Sequence, residues 1–169
     1  MTDRVAVAVL GAGRWGTHLI RNFLEHPRSH LVAVAETNPD LIVAVGDRFA
    51  SYPAWAAVRC VSDPAEILDS PAVEAVVIAT PASTHFGLVR SALLAGKHVL
   101  VEKPLTLDAA EGEQLWELAQ RVDRRLMVDH TYLFHPAVVR GAAVVREVAD
   151  GAGVLGGQVA GQRLRLAEA

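Results

Sequence analysis

Hydrophobic positions along this chain fall into two alternating regimes: short β-branched runs, and longer stretches with apolar residues three or four apart. Val5-Ala6-Val7-Ala8-Val9-Leu10 opens the series and reads as a strand. Leu19, Ile20, Phe23 and Leu24 then form one stripe, with Arg21, Asn22 and Glu25 opposite, which predicts a helix. Leu31-Val32-Ala33-Val34-Ala35 predicts a second strand. Asn38-Pro39-Asp40 opens a second helix through about Ala50, with Leu41, Val45 and Phe49 along one face. Residues 57–61 make a weaker third strand, and Ser62-Asp63-Pro64 starts a short helix over 65–69, with proline in its first turn. Residues 73–79 are nearly all apolar, the mark of a strand covered on both faces. A helix follows to about Ala95, with Gly96 as its C-cap. His98-Val99-Leu100-Val101 is the fifth strand. Thr106-Leu107-Asp108 caps the next helix, striped by Leu115, Leu118, Ala119 and Val122, and residues 126–130 form the sixth strand.

Six strands alternating with helices predict an α/β fold, a doubly wound parallel sheet of the Rossmann type joined by short right-handed crossovers. From His135-Pro136 the pattern changes. A helix over 137–149 carries Val138, Val139, Val145 and Val148, with Gly141 as a soft spot. A glycine-rich stretch over 151–157 and a strand-like Gln162-Arg163-Leu164-Arg165-Leu166 follow. We therefore expect a dinucleotide-binding domain over 1–134 and, over 135–169, the start of a truncated second α/β domain, one helix plus one strand. A lone strand is unstable without partners. The tail from about Gly151 is thus expected to be mobile or to pair with another copy, giving a homo-oligomer.

Composition narrows the function classes. The 169 residues are 51% hydrophobic and 21% charged, which suits a globular domain with ample core. A net charge of −3 provides no basic excess for a nucleic-acid surface. Arg121, Arg124 and Arg125, the densest basic cluster, read as a solvated helix end. Cys60 stands alone, so neither a disulfide framework nor a C-x-x-C pair is available. His130 and His135 are five apart across a strand–helix junction, and no Cys/His cluster occurs, so no metal site is expected. No apolar run reaches membrane-spanning length and no signal-peptide pattern precedes the first strand, so a cytoplasmic protein is the expectation.

The chemistry starts at Gly11-Ala12-Gly13-Arg14-Trp15-Gly16, a G-x-G-x-x-G turn with a strand before it and a helix after it. That context is what a dinucleotide pyrophosphate on a helix N-terminus requires. Gly11 permits the tight turn, Gly13 lets the backbone approach the phosphates, and Gly16 allows close helix–strand packing. Arg14 and Trp15 between them complete the candidate phosphate cradle. Glu36, at the end of the second strand, stands where a carboxylate accepts the hydroxyls of the adenosine ribose and repels a 2′-phosphate. No arginine neighbours it, which favours NAD over NADP. The alternative is an ordinary glutamate capping the next helix.

Thr80, Pro81, Ser83 and His85 follow the fourth strand, where strand order reverses and a ligand crevice opens. Thr80 and Ser83 offer hydroxyls and Pro81 stiffens the turn, while His85 reads equally well as a cofactor contact or a partly exposed cap. Lys103 is the sharpest candidate. It ends the fifth strand between Glu102 and Pro104, on the side of the sheet that carries the glycine turn. A lysine there can donate a proton or hydrogen bond to a substrate oxygen during hydride transfer, and burial would pull its pKa toward neutrality. The alternative is a surface lysine paired with Glu102.

Taken together, GAGRWG at 11–16, Glu36, ATPASTH at 79–85, AGKHVLVEKP at 95–104 and MVDHTYLFHPAV at 127–138 resemble the Gfo/Idh/MocA oxidoreductases. The resemblance spans nearly all of the first 140 or so residues. It implies a six-stranded NAD(P)-binding domain and hydride transfer at a hydroxyl-bearing carbon of a sugar, cyclitol or nucleotide sugar. It also implies that Lys103 is catalytic and that Glu102 and the 80–85 loop line the nicotinamide side. The HTYLFHPAV variant is most similar to members acting on nucleotide sugars. Glu36 stands where many members have aspartate. Family members also continue into a second domain that binds substrate, supplies an Asp/His pair and forms the dimer, so those parts are expected to be missing from this sequence. Two functions remain in view: an NAD-dependent oxidoreductase, inactive or incomplete as this short chain, and an NAD-binding module without catalysis of its own. A methyltransferase binding S-adenosylmethionine would share the glycine turn, but the Glu102-Lys103-Pro104 strand end and six strands speak against it.

Overall fold

The computed structural model describes residues 4–151 of the chain. The chain divides into two compact units after His130, and each is taken by itself. The first unit is one parallel sheet. Its strands are β1 (Val5–Leu10), β2 (Ser29–Ala35), β3 (Arg59–Val61), β4 (Ala75–Ile78), β5 (His98–Glu102) and β6 (Leu126–Asp129), in the order β3-β2-β1-β4-β5-β6. The connecting helices are α1 (Arg14–Glu25), α2 (Pro39–Phe49), α3 (Ala65–Leu68), α4 (His85–Leu94) and α5 (Ala109–Arg121). The doubly wound six-stranded sheet expected from the strand–helix alternation is the one found.

The near-continuous apolar runs follow from burial on both faces. Ala8, Leu10, Val76, Ile78, Val99 and Val101 share one core with Ile67 of α3, Leu93 of α4 and Leu115 of α5. Their sheet neighbours Val7, Val9, Val34 and Val77 share the other with Ile20 of α1 and Phe49 of α2. Each fully buried Leu or Ile contributes about 1.5–3 kcal/mol relative to exposure, so alternation between faces gives β1 and β4 two anchors each.

Several boundaries moved for local reasons. The third strand, expected over 57–61, begins at Arg59, because Pro53–Ala57 winds into a 3₁₀ turn. Proline suits that turn's first position, and Tyr52 and Trp55 pack their rings 5.5 Å from Phe49. The fourth strand is shorter than 73–79, since the Val73 N–H closes a turn on the Ser70 carbonyl at 3.3 Å. The second begins earlier, at Ser29, whose hydroxyl donates to the Phe23 carbonyl at 2.8 Å. Gly96 does end α4 with φ +75°, the left-handed conformation that glycine adopts without strain.

The second unit opens with a 3₁₀ turn, Thr131–Phe134, and continues as helix α6 (Pro136–Gly151). Tyr132, Phe134, Val139 and Val145 are exposed. The glycine-rich stretch beyond Gly151, the strand expected over 162–166 and the pairing of copies through it lie outside the described residues. Among the described residues no helix is long and apolar enough to cross a membrane.

Candidate functional site

The chain leaves β1 toward β2 on one side and returns to β4 on the other, so the carboxyl ends of β1 and β4 meet at the point where strand order reverses. That is where open α/β sheets bind ligands. A hollow of about 270 Å³ opens there, walled by Gly11, Gly13, Glu36, Leu41, Thr80 and Pro81. A larger, mostly apolar one of about 330 Å³ lies at the opposite ends of the strands, by Val5, Arg28 and His98. The glycine turn does not line it.

The three glycines divide by what demands them. Gly11 has φ +95°, and a Cβ there would come within 2.8 Å of the Ala79 carbonyl oxygen. A Cβ on Gly16 would occupy the position of the Gly11 carbonyl oxygen. Both are required by the protein's own packing. Gly13 has φ −66°, open to any residue, and a Cβ there would meet no protein atom within 4 Å. Neither backbone strain nor packing demands that glycine, and the open space beside it leaves room for close approach to the backbone.

Gly13 is also the N-cap of α1, and no side chain caps this helix, whereas Asn38 caps α2 and Asp108 caps α5. The first-turn N–H groups, including those of Arg14 and Trp15, thus face the crevice edge without a side-chain acceptor, and helix N-termini of this kind attract anions. Both side chains are exposed, Trp15 at 52%. The turn is pinned by a residue the sequence pattern did not reveal: the Thr17 hydroxyl donates to the carbonyls of Gly13 at 2.8 Å and Ala12 at 3.1 Å.

Glu36 is half-buried, and its carboxylate already accepts two backbone N–H groups. Oε2 takes that of Ala12 at 2.7 Å and Oε1 that of Asn38 at 2.9 Å. A carboxylate offers about four acceptor positions, so two remain. The helix cap is Asn38, whose Oδ1 accepts from Asp40 at 3.0 Å, rather than Glu36 itself. No arginine lines the hollow around Glu36 among the described residues.

The segment after β4 separates into different roles. Thr80 and Pro81 wall the hollow, and the Thr80 hydroxyl shares a hydrogen bond of 2.7 Å with that of Thr84. Ser83 lines a separate depression with Phe86 and Asp108. His85 is 1% exposed, and both ring nitrogens face backbone carbonyls: Nδ1 at 2.7 Å from Pro104, Nε2 at 2.9 Å from Thr80. A ring so placed holds the segment together and presents no polar atom outward, so the partly exposed cap is not what is found.

After β5 the expected burial falls on the neighbour. Lys103 is exposed, whereas Glu102 is 8% exposed. Burial and the adjacent Asp129 carboxylate push the Glu102 pKa up, opposed by its hydrogen bond from the Lys103 N–H and by the Lys103 and His85 charges. Glu102 and Asp129 stand opposite each other in the β5–β6 register, a pairing not visible before the strand order was known. The Lys103–Pro104 peptide is cis. Lys97 also escaped the sequence reading. It is 6% exposed, and its Nζ donates to the carbonyls of Ser70 at 2.6 Å and Val73 at 2.9 Å, bracing the turn before β4. Among the described residues no three His, Cys, Asp or Glu side chains group to hold a metal ion.

Comparison with known proteins agrees with this fold. A family model described as an oxidoreductase family with an NAD-binding Rossmann fold matches residues 5–130. The scyllo-inositol 2-dehydrogenase (NAD(+)) of Bacillus subtilis is 33% identical over 138 residues, covering 81% of this chain and 39% of that protein. KijD10, a 3-ketoreductase from Actinomadura kijaniata solved with NADP and TDP-benzene, superposes with a TM-score of 0.75 at 28% identity, covering 85% of this chain and 42% of that one. GenD2 from gentamicin A biosynthesis, solved with NAD, does so with a TM-score of 0.78 at 29% identity, covering 88% and 41%. The chain spans less than half the length of each of these relatives.

Proposed function

Since the chain belongs to the Gfo/Idh/MocA oxidoreductase family through its NAD-binding Rossmann domain, we propose that it holds NAD at the carboxyl edge of its sheet for hydride transfer to or from a hydroxyl-bearing carbon. The observation that carries this reading is Gly13, a glycine that the chain's own packing does not need, at the mouth of an uncapped helix. Bound there, the cofactor supplies the hydride acceptor or donor. The N–H groups of the first turn of α1 hold its phosphates. The two remaining acceptor positions of Glu36 take the adenosine ribose hydroxyls, and its charge disfavours a 2′-phosphate, so NAD is preferred to NADP. Thr80 and Pro81 close the wall opposite.

Lys103 is the group assigned to the proton. Its ammonium donates to, or its amine takes from, the oxygen on the carbon that exchanges hydride. Glu102 holds the Lys103 backbone by accepting its N–H at 3.2 Å. The substrate class follows the relatives: a sugar, cyclitol or nucleotide sugar, in a cytoplasmic setting where NAD is available. A second reading is an NAD-binding module without turnover, and the exposure of Lys103 favours it, since none of the described residues of its own unit buries that side chain.

Calorimetric titration of the 169-residue chain with NADH and NADPH tests the cofactor site, with tighter NADH binding expected. Absence of binding to either would overturn the proposal. Incubation with NAD and polyols separates the two readings. Turnover that disappears in Lys103→Ala assigns catalysis to this chain, and binding without turnover assigns it the module role.

A further inference from the structure

Among the described residues His85 and Lys97 are buried titratable side chains that the proposed chemistry does not use, and the surroundings of His85 are the more specific. Both ring nitrogens lie within hydrogen-bond distance of a backbone carbonyl oxygen, Pro104 at 2.7 Å and Thr80 at 2.9 Å. Carbonyl oxygens only accept. A neutral imidazole has one N–H and one lone pair, so in either tautomer one contact would set a lone pair against a lone pair at direct-contact distance. Only a ring with an N–H on each nitrogen makes both bonds.

A buried cation needs a counter-charge, and one stands on the next strand. Glu102 on β5 is buried, and the His85 charge acts on its carboxylate. The other charged groups around this cluster are Lys103 after β5 and Asp129 on β6, both acting on Glu102. Asp108 and Glu111 lie at the start of α5, beside the depression lined by Ser83 and Phe86.

We infer that His85 is an imidazolium clamp, a positioning residue that uses both N–H groups to tie the Thr80 wall of the crevice to the segment carrying Lys103, with Glu102 as its counter-ion. Thr80 walls the hollow beside Gly11 and Glu36, and Pro104 directly follows Lys103. The clamp thereby fixes how far the proton-transfer group stands from the cofactor wall. This consequence rests on the role proposed for Lys103, whereas the protonation of the ring does not.

The test is a long-range ¹H–¹⁵N correlation spectrum of the ¹⁵N-labelled chain at neutral pH without cofactor. Of its seven histidines, His85 is expected to show both ring nitrogens protonated, assigned through the backbone resonances of Thr84 to Phe86. A spectrum with one protonated and one bare nitrogen would overturn the clamp. In Glu102→Gln the ring is expected to revert to that neutral pattern, and an unchanged spectrum would remove Glu102 as counter-ion. In His85→Gln, which keeps one amide donor, NADH affinity is expected to fall about tenfold, and unaltered affinity would refute the link to the cofactor wall. If the parent chain binds no NADH, the proposed function falls, while the spectrum still decides the state of the ring. A His85→Gln chain that does not fold leaves the decision to the parent and Glu102→Gln spectra.

Discussion

Replacing Gly13 by alanine adds one methyl group where the protein has nothing to meet it, which separates what the turn owes to the fold from what it owes to a ligand. The backbone there already has φ −66° and ψ −164°, and apart from the adjoining backbone no heavy atom lies within 4 Å of the added Cβ. Alanine is a poorer N-cap than glycine by about 0.5–1 kcal/mol. The stiffer unfolded chain returns about 0.4–1 kcal/mol. Stability should therefore change by less than ~1 kcal/mol, a shift in Tm of roughly 2–4 °C at this chain length. Binding should change far more. A methyl that holds a phosphate off the first-turn N–H groups removes at least one hydrogen bond to a charged group, about 2 kcal/mol, or roughly 30-fold in Kd.

Gly16→Ala is the control, because its Cβ would sit on the Gly11 carbonyl oxygen. It should lose about 3 kcal/mol or more, since strand and helix must part to admit it. Thermal melts and NADH titrations of the three proteins, run side by side, decide the matter. Gly13→Ala with parental affinity would refute the phosphate cradle. Gly13→Ala as unstable as Gly16→Ala would refute the packing argument.

Other expectations follow from the same geometry. Glu36→Ala should weaken NADH roughly tenfold while bringing NADPH to similar affinity, measured as paired dissociation constants; a parent chain preferring NADPH would contradict the role given to Glu36. The same variant should lose about 1–3 kcal/mol in urea unfolding, because the N–H groups of Ala12 and Asn38 lose their acceptors. Lys97→Met keeps the side-chain length but strips the Ser70 and Val73 carbonyls of their donor, with an expected loss of about 2 kcal/mol; a loss within about 0.5 kcal/mol, the range of a neutral surface change, would refute the bracing role. For Glu102 burial and the Asp129 carboxylate hold the folded-state pKa above its ordinary value of 4.5. The stability linked to its proton is then fully present below the unfolded value and lost as pH rises through the folded one. The urea midpoint of Glu102→Gln should accordingly gain on that of the parent as pH rises from below 4.5 toward neutrality, and a difference that runs the other way would be incompatible with the upward shift.

What could be read from the chain was whatever depended on period and punctuation. The strand runs, the stripe of α1, the cap at Asp108 and the left-handed Gly96 are local, and local chemistry dictates them. Gly11 and Gly16 were legible for the same reason, since a turn that tight admits few residues. Legibility failed where a side chain's partner was distant along the chain. Lys97 meets carbonyls 24 and 27 residues away, and nothing around it signals burial except its place just before a strand. Glu102 and Asp129 become neighbours only through the β5–β6 register. Expecting burial at Lys103 instead of Glu102 followed from placing the two on a strand end without its surroundings. His85 shows a further limit. Its position at the start of α4 was foreseen, but burial between two carbonyls depends on where the segment after β5 returns.

The double use of Glu36 bears on how cofactor preference is built into this fold. One carboxylate orders the glycine turn through Ala12, whose side of the turn is 2% exposed, and is also the group assigned to the ribose. Under the role proposed for Glu36, selectivity and turn geometry are coupled through a single side chain. Removing its charge to admit a 2′-phosphate also leaves a buried N–H without an acceptor, and an unmade bond of that kind costs about 1–3 kcal/mol. A substitution that supplies a cation alone thus loosens the phosphate cradle while it improves the ribose contact. A productive exchange of preference requires two changes at once: a basic residue near position 37 or 38 to meet the added phosphate, and a neutral acceptor at 36 that keeps the Ala12 N–H engaged. Glu36→Gln retains such an acceptor and the reach of the original side chain, so it should preserve the turn's stability where Glu36→Ala does not. Comparing the two in unfolding and in NADH affinity measures how much of the preference belongs to charge and how much to the order of the turn.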